Sequence, residues 1–452
     1  MAGDRGPGGL AEHRPDRPRR RRRPTRTFVG LAAAAVLAAG LSACGGGSES
    51  GAPTLKWYVY KEPSGAFAEA AASCTKAAKG RYKIQTVDLP NNADEQREQL
   101  VRRLAANDSD IDIIGMDVIW TAEFANAGWI KPIPASEVDA VTKGRLKPAI
   151  KTATFDGKLY AAPFNSNAEM LWYRTDLTKE PPKTWDDLLT QAAKLRKEGK
   201  PNQILGQGQR YEGLVVWFTS ILESAGGHVL TADGKHVSLK EGPTKKALRI
   251  MRDLSQSPST PANFATARED DGRLAWEKGD AAFMTNYSFV WPSANTNAPD
   301  IAKTMRWARF PAVDGGTPSK VAIGGFNLGV GGYSKHADLA FDAVSCLVGE
   351  KNQIVNATKG GLLPVSSSLY DDKELTGATT DGKDGKVKAF PYADVIKEEL
   401  SDAVVRPQTP YYNDVALAIA RTLHPTRGID PDKDAGRLRD AVAKALKGEG
   451  LL

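Results

Sequence analysis

The chain has 452 residues, 61 of them basic and 54 acidic, a formal net charge of +7; 41% are apolar and 25% charged. Nine arginines against two Asp and one Glu fall within residues 1–43, and the rest carries 52 basic and 51 acidic residues. The excess is therefore confined to one end, which excludes a nucleic-acid partner as its purpose. The 409 residues after 43 exceed what one core accommodates and suit two large lobes.

The five arginines Arg19–Arg23 precede an uncharged apolar run from Phe28 to Leu41, which ends in Leu41-Ser42-Ala43-Cys44. A basic region, a short apolar region and small residues before a break read as an export signal. The run is shorter than the roughly 20 residues of a membrane-spanning helix. Leu-Ser-Ala-Cys resembles the bacterial lipobox, so residues 1–43 are expected to be removed and Cys44 to become the lipidated N-terminus. Residues 44–53, rich in Gly and Ser, have the composition of a flexible tether.

From Leu55 onward, strand and helix signals alternate: strand Leu55–Tyr60, helix Ala66–Ala78, strand Tyr82–Val87, helix Asp94–Ala106 and a buried strand Ile111–Gly115. Such alternation implies a mainly parallel sheet covered by helices, an α/β fold. Helical periodicity then dominates Thr184–Glu198, Gly213–Ala225, Pro243–Leu254 and Gly272–Lys278. A glycine-rich strand follows at Val321–Val330, then helices over His336–Gly349, Asp394–Val405 and Asn413–Thr422. Polar residues 371–388 are expected to form an exposed excursion. Cys74 lies on the apolar face of the first helix; Cys74 and Cys346 are either paired or two buried thiols.

Catalytic signatures are missing: the sequence has no phosphate loop, no Gly-x-Ser-x-Gly and no His-Glu-x-x-His. His228 and His236 flank a Thr-Ala-Asp-Gly turn without a nearby cysteine, so no metal or other cofactor is expected. Carboxylates are numerous enough that counting alone leaves a glycoside-acting enzyme open.

Glu123-x4-Gly128-Trp129-Ile130-Lys131-Pro132-Ile133 is similar to a signature of the extracellular solute-binding proteins of sugar ABC importers. Phe155-Asp-Gly-Lys-Leu-Tyr-Ala-Ala-Pro163, Leu171-Trp-Tyr-Arg-Thr-Asp-Leu177 with Pro181–Leu188, Gly279–Met284 and Gly324–Val330 resemble four further blocks of that family, in order. Glu98–Ala106 and Ile111–Trp120 look most like its actinobacterial trehalose-binding lipoproteins, with the trehalose/maltose branch close by. The resemblance implies a two-lobed periplasmic-binding-protein-like fold with a hinge and a ligand cleft between lobes. It implies residues 54–163 and 311–370 in one lobe and 164–310 and 371–452 in the other, which brings the helices of Cys74 and Cys346 together. It also implies a monomer, held by its N-terminal lipid on the outer face of the cytoplasmic membrane. There it would bind a disaccharide, trehalose first and maltose or sucrose as alternatives, and pass it intact to the transmembrane permease subunits.

In open α/β sheets, ligand lies beyond the carboxyl ends of the strands. Glu62 and Asp117 follow two such strands, and a carboxylate can accept from two sugar hydroxyls at once; Asp117 can alternatively cap the segment beginning at Val118. Asp94 either caps its helix or joins Gln96 at the ligand. Asn165 and Asn167 follow the Ala-Ala-Pro turn, and one of them is expected to reach the sugar. The resemblance aligns Tyr287, Phe289, Gly325 and Phe326 with sugar-stacking segments, in which Tyr287 and Phe326 are each smaller than the tryptophan usual there. Arg406 matches a family arginine, whose guanidinium offers a fork of donors.

Overall fold

A computed structural model describes residues 51–449 other than Asn91 and Asp384. The expected signal, Cys44 and most of the tether lie outside the described residues. Among the described residues, no helix is long and apolar enough to cross a membrane.

Nine strands build two sheets: β1 (Thr54–Tyr60), β2 (Lys83–Leu89), β3 (Ile113–Asp117), β4 (Ala161–Asn167), β5 (Met170–Arg174), β6 (Gln203–Leu205), β7 (Ala281–Asn286), β8 (Met305–Ala308) and β9 (Gly324–Val330). The five-stranded sheet has the order β2-β1-β3-β9-β4 and the four-stranded sheet the order β8-β5-β7-β6. β1 is parallel to β2 and β3, whereas β9 runs antiparallel to both β3 and β4. The mainly parallel sheet expected from the alternation is thus a mixed one. β9 enters it only after the chain has built the other sheet, so the chain crosses between lobes more than once.

Helix starts follow local chemistry. Asn92, in an extended conformation, accepts from the backbone N–H groups of Asp94 and Glu95 and caps the helix Ala93–Ala105. Thr184 and Asp187 form a reciprocal capping box at the start of Trp185–Lys197. Each cap satisfies backbone donors that the first turn leaves free, and is worth about 1 kcal/mol. The helix Ala66–Ala77 turns Ala66, Phe67, Ala70, Ala71 and Cys74 inward, and Cys74 is disulfide-bonded to Cys346 of the helix Ala337–Leu347.

Several boundaries differ from those expected. β3 extends to Asp117 instead of ending at Gly115, so Met116 and Asp117 belong to the ladder. β4 remains paired with β9 as far as Asn167, past the expected lobe crossing after 163. Residues 321–323 precede the strand, and Ala322 bridges Val404. The helix expected to reach Val405 stops at Asp402, because Val404 exchanges backbone bonds with Val321 and Ile323. Leu363, Val365, Leu369 and Tyr370 pack into the core around the four-stranded sheet, although the resemblance implied the other lobe for them. The excursion at 371–388 contains a hairpin, Thr379–Gly382 with Gly385–Lys388, preceded by a short helix that buries Leu375.

Candidate functional site

Three sequence-selected residues meet through strand register. β3 and β9 set Asp117 opposite Phe326, and β9 and β4 set Phe326 opposite Asn165, so the three occupy one row across the sheet. Phe326 is aimed by an aromatic chain rising from the core. Trp57 lies 5.3 Å from Phe67 and 5.6 Å edge-on to Phe164; Phe67 touches Tyr60 at 5.2 Å, and Tyr60 stacks on Phe326 at 4.8 Å. Each such pair contributes about 0.5–1.5 kcal/mol beyond its buried area. Phe326 itself is half-buried, which leaves ring surface for a ligand.

Gly325 has a structural reason of its own. Its φ is +114°, and an added Cβ would lie 2.1 Å from the Asn165 carbonyl oxygen. The register shifts just beyond it, between Phe326 and Asn327, so a glycine here lets the ladder turn Phe326 out of line. Asn165 is buried; its amide nitrogen reaches Asn167 Oδ1 at 3.3 Å while its own Oδ1 has no partner.

Arg406, 4% exposed, ties the halves of the cleft together. Its Nη1 donates to Glu212 Oε1 at 2.6 Å, and its Nη2 to Asp117 Oδ1 at 3.3 Å and the Ile323 carbonyl at 3.4 Å. Nε has no partner. Burial opposes the guanidinium's charge, but Asp117, Tyr412 and Glu212 hold it protonated. Burial also pushes the Asp117 carboxyl up, against the pull of Arg406. It raises Glu212 to about 7 despite Arg406 and a 2.5 Å hydrogen bond from the Tyr412 hydroxyl. Asp117 does cap the short turn after it, accepting from Ile119 N–H at 3.2 Å, so the capping role considered for it is realised.

The other sequence-selected residues are less uniform. Glu62 accepts from the N–H groups of Ser64 and Ala66 at 2.8 and 2.9 Å, which stabilises the start of its helix and occupies both oxygens. Asp94 is not the cap, a role that falls to Asn92. Its carboxyl is pushed up by desolvation and by Asp117, partly offset by Arg268 from the opposite half. Gln96 is buried with Oε1 unpartnered. Burial raises the Tyr287 hydroxyl pKa, and Glu169, Glu269, Arg406 and Asp117 are its charged neighbours. Phe289 instead packs against the core of its own lobe, reason enough for an aromatic there.

Sequence reasoning missed Tyr60, Glu169, Tyr211, Glu212, Arg268, Glu269 and Tyr412. Arg268 lies 5.5 Å over the Tyr211 ring and gives its Nε to Gln209. Glu269 is raised by burial against the pull of the Tyr211 hydroxyl. An acidic residue in a first helical turn, as at Glu212 and Glu269, looks like ordinary dipole compensation. Glu169, a single carboxyl between Ala168 and the apolar Met170–Trp172, carries no periodic signal of its own.

Residues 61–354 match the family described as bacterial extracellular solute-binding protein. The chain belongs to this family. A probable ABC transporter-binding protein of Deinococcus radiodurans is 30% identical over 395 residues, 83% of this chain and 89% of that protein. The diacetylchitobiose-binding protein of Streptomyces coelicolor is 25% identical over 229 residues, 49% of this chain and 53% of that one. Among solved structures, the maltose-bound T. maritima MalE3 superposes with a TM-score of 0.77 at 25% identity, covering 87% of this chain and 99% of that one. The architecture is therefore the two-lobed periplasmic-binding-protein-like fold, and the family is one of binding proteins and not of enzymes.

Proposed function

We propose that the protein is the lipid-anchored, extracellular binding component of an ABC importer, and that it captures a disaccharide, trehalose in the first instance, by closure of its lobes. The observation that carries this reading is the row Asp117–Phe326–Asn165, with Arg406 reaching it from beyond the row. An acceptor, an aromatic face, an amide and a guanidinium side by side match a sugar, which alternates hydroxyl pairs with an apolar ring face. The maltose and diacetylchitobiose named for two relatives are of the same ligand class.

Arg406 also suggests how binding favours closure. Its two carboxylate partners come from β3 of one sheet and from the helix Glu212–Ser224 beside the other. Ligand held by both halves binds the closed arrangement more tightly than the open one, and that difference alone moves the equilibrium. The permease then meets a closed protein, and the sugar leaves with its bonds intact.

Isothermal titration of residues 50–452 with trehalose, maltose and sucrose tests the proposal. One-to-one binding of trehalose, with unaltered sugar recovered afterwards, is expected. Preference for maltose or sucrose would reassign the sugar; released monosaccharide would replace the binding role by a glycoside-acting one.

A further inference from the structure

Glu169 lies in the two-residue link between β4 and β5, where the chain passes from one sheet to the other. It is 1% exposed, and neither carboxylate oxygen has a hydrogen-bond partner. Leaving such a group unsatisfied costs about 1–3 kcal/mol, and more when it is ionised. The fold gains nothing visible in return. The nearby Gln207 amide gives its Nε2 to the Thr285 carbonyl at 3.3 Å, and its pull on the Glu169 carboxyl is weaker than the opposing effects of burial and Glu269. The other charged groups facing Glu169 are carboxylates: Glu269 at the start of the helix Glu269–Lys278, and Glu399, which is already bound by Arg309. The Tyr211 and Tyr287 hydroxyls complete its surroundings. Tyr287 has both Glu169 and the Arg406–Asp117 pair among its charged neighbours, so the carboxyl lies within electrostatic reach of that pair's surroundings.

We infer that Glu169 is a specificity-determining ligand residue, its carboxyl donating to one sugar hydroxyl and accepting from the adjacent one on the four-stranded side of the cleft. The inference rests on the reading of the cleft as a disaccharide site. Burial, and after it Glu269, pushes the Glu169 carboxyl up to about 8, so at neutral pH it keeps its proton. A neutral carboxyl offers one donor and one acceptor edge, as a primary amide does. Asp117 and Glu169 then recognise hydroxyls in different senses, the first as acceptor only.

The test is titration of the wild type, Glu169→Gln and Glu169→Leu with trehalose, maltose and sucrose at pH 6 and pH 9.5. Glu212 and Glu399 both sit near 7 and titrate in all three proteins, so the ratio of wild-type to Glu169→Gln affinity isolates the group of interest. That ratio is expected to lie near 1 at pH 6 and to fall about tenfold by pH 9.5, as wild type loses its donor and the amide does not. Glu169→Leu is expected to bind about 10- to 100-fold more weakly at pH 6. Leucine binding as well as wild type overturns the inference, as does an affinity ratio that ignores pH; the second readout stands even if the leucine variant does not fold. Failure of every disaccharide to bind wild type overturns the proposed function, and this inference with it. Wild-type binding with an unaffected leucine variant removes the inference alone.

Discussion

On the five-stranded side of the cleft, Asp117, Phe326 and Asn165 are fixed by neighbouring positions in two backbone ladders. On the four-stranded side, Glu169, Tyr211, Glu212, Glu269 and Tyr287 stand in a link between strands, just before or at helix starts, or just after a strand. The first group owes its geometry to hydrogen bonds made by main chain, which no single side-chain change removes. The second owes its geometry to burial, which is also what drives its carboxyls upward. One half is a template, and the other is a set of side chains held in a tuned, poorly hydrated environment. The difference implies that substitutions on the two sides should fail differently.

Arg406→Leu should produce the largest effect because it strips a partner from both sides together. Asp117 and Glu212 would remain buried without their cation, a loss of about 3–5 kcal/mol in urea unfolding. Sugar affinity should fall by roughly 100-fold or more, since the fork that spans the cleft is gone. A variant as stable as wild type would show that the two halves do not depend on this link.

Gly325→Ala attacks the template itself. The new Cβ meets the Asn165 carbonyl at 2.1 Å, with φ in a region that side chains rarely adopt, so β4 and β9 must part. A loss of about 2–3 kcal/mol is expected, together with weaker binding through displacement of Phe326 and Asn165. Unchanged stability would mean that the ladder yields more easily than its register suggests.

Phe326→Ala should have the smallest effect on folding and act on the ligand, with a loss of about 1–2 kcal/mol of binding, or roughly tenfold. The fold loses its stack on Tyr60 and the partial packing of a half-buried ring against the core beneath. Replacement by Trp, restoring the larger ring, sharpens the comparison if it changes which disaccharide binds best.

Much of the template side was legible in the sequence. Apolar runs ending in polar residues mark strands that deliver side chains to their carboxyl ends, and that pattern picked out Asp117, although the strand runs two residues further than the expected end at Gly115. The partnership of Asp117 with Phe326 was not legible, because β3 and β9 are distant in sequence and register is set by tertiary pairing. Glu62 and Phe289 show the opposite limit. The pattern placed them correctly in the chain, but a helix start claims the first and a core the second. Glu169 escaped because one carboxyl beside the apolar Met170–Trp172 carries no periodic signal, and its environment is assembled from separate segments of the chain. The disulfide, left open by composition, needed the fold to bring the two helices together.

β9 and the helix carrying Cys346 also set an order of events. The five-stranded sheet receives a central strand, and Cys74 its partner, from parts of the chain made long after β3; the two cysteines are 272 residues apart. A ribosome emits the other sheet's strands in between, so the lobe begun first is finished late. Until β9 arrives, β3 and β4 each expose an unpaired edge. The nascent chain therefore has a long interval in which it cannot yet lock, and in which a chain bound for export could still be threaded unfolded.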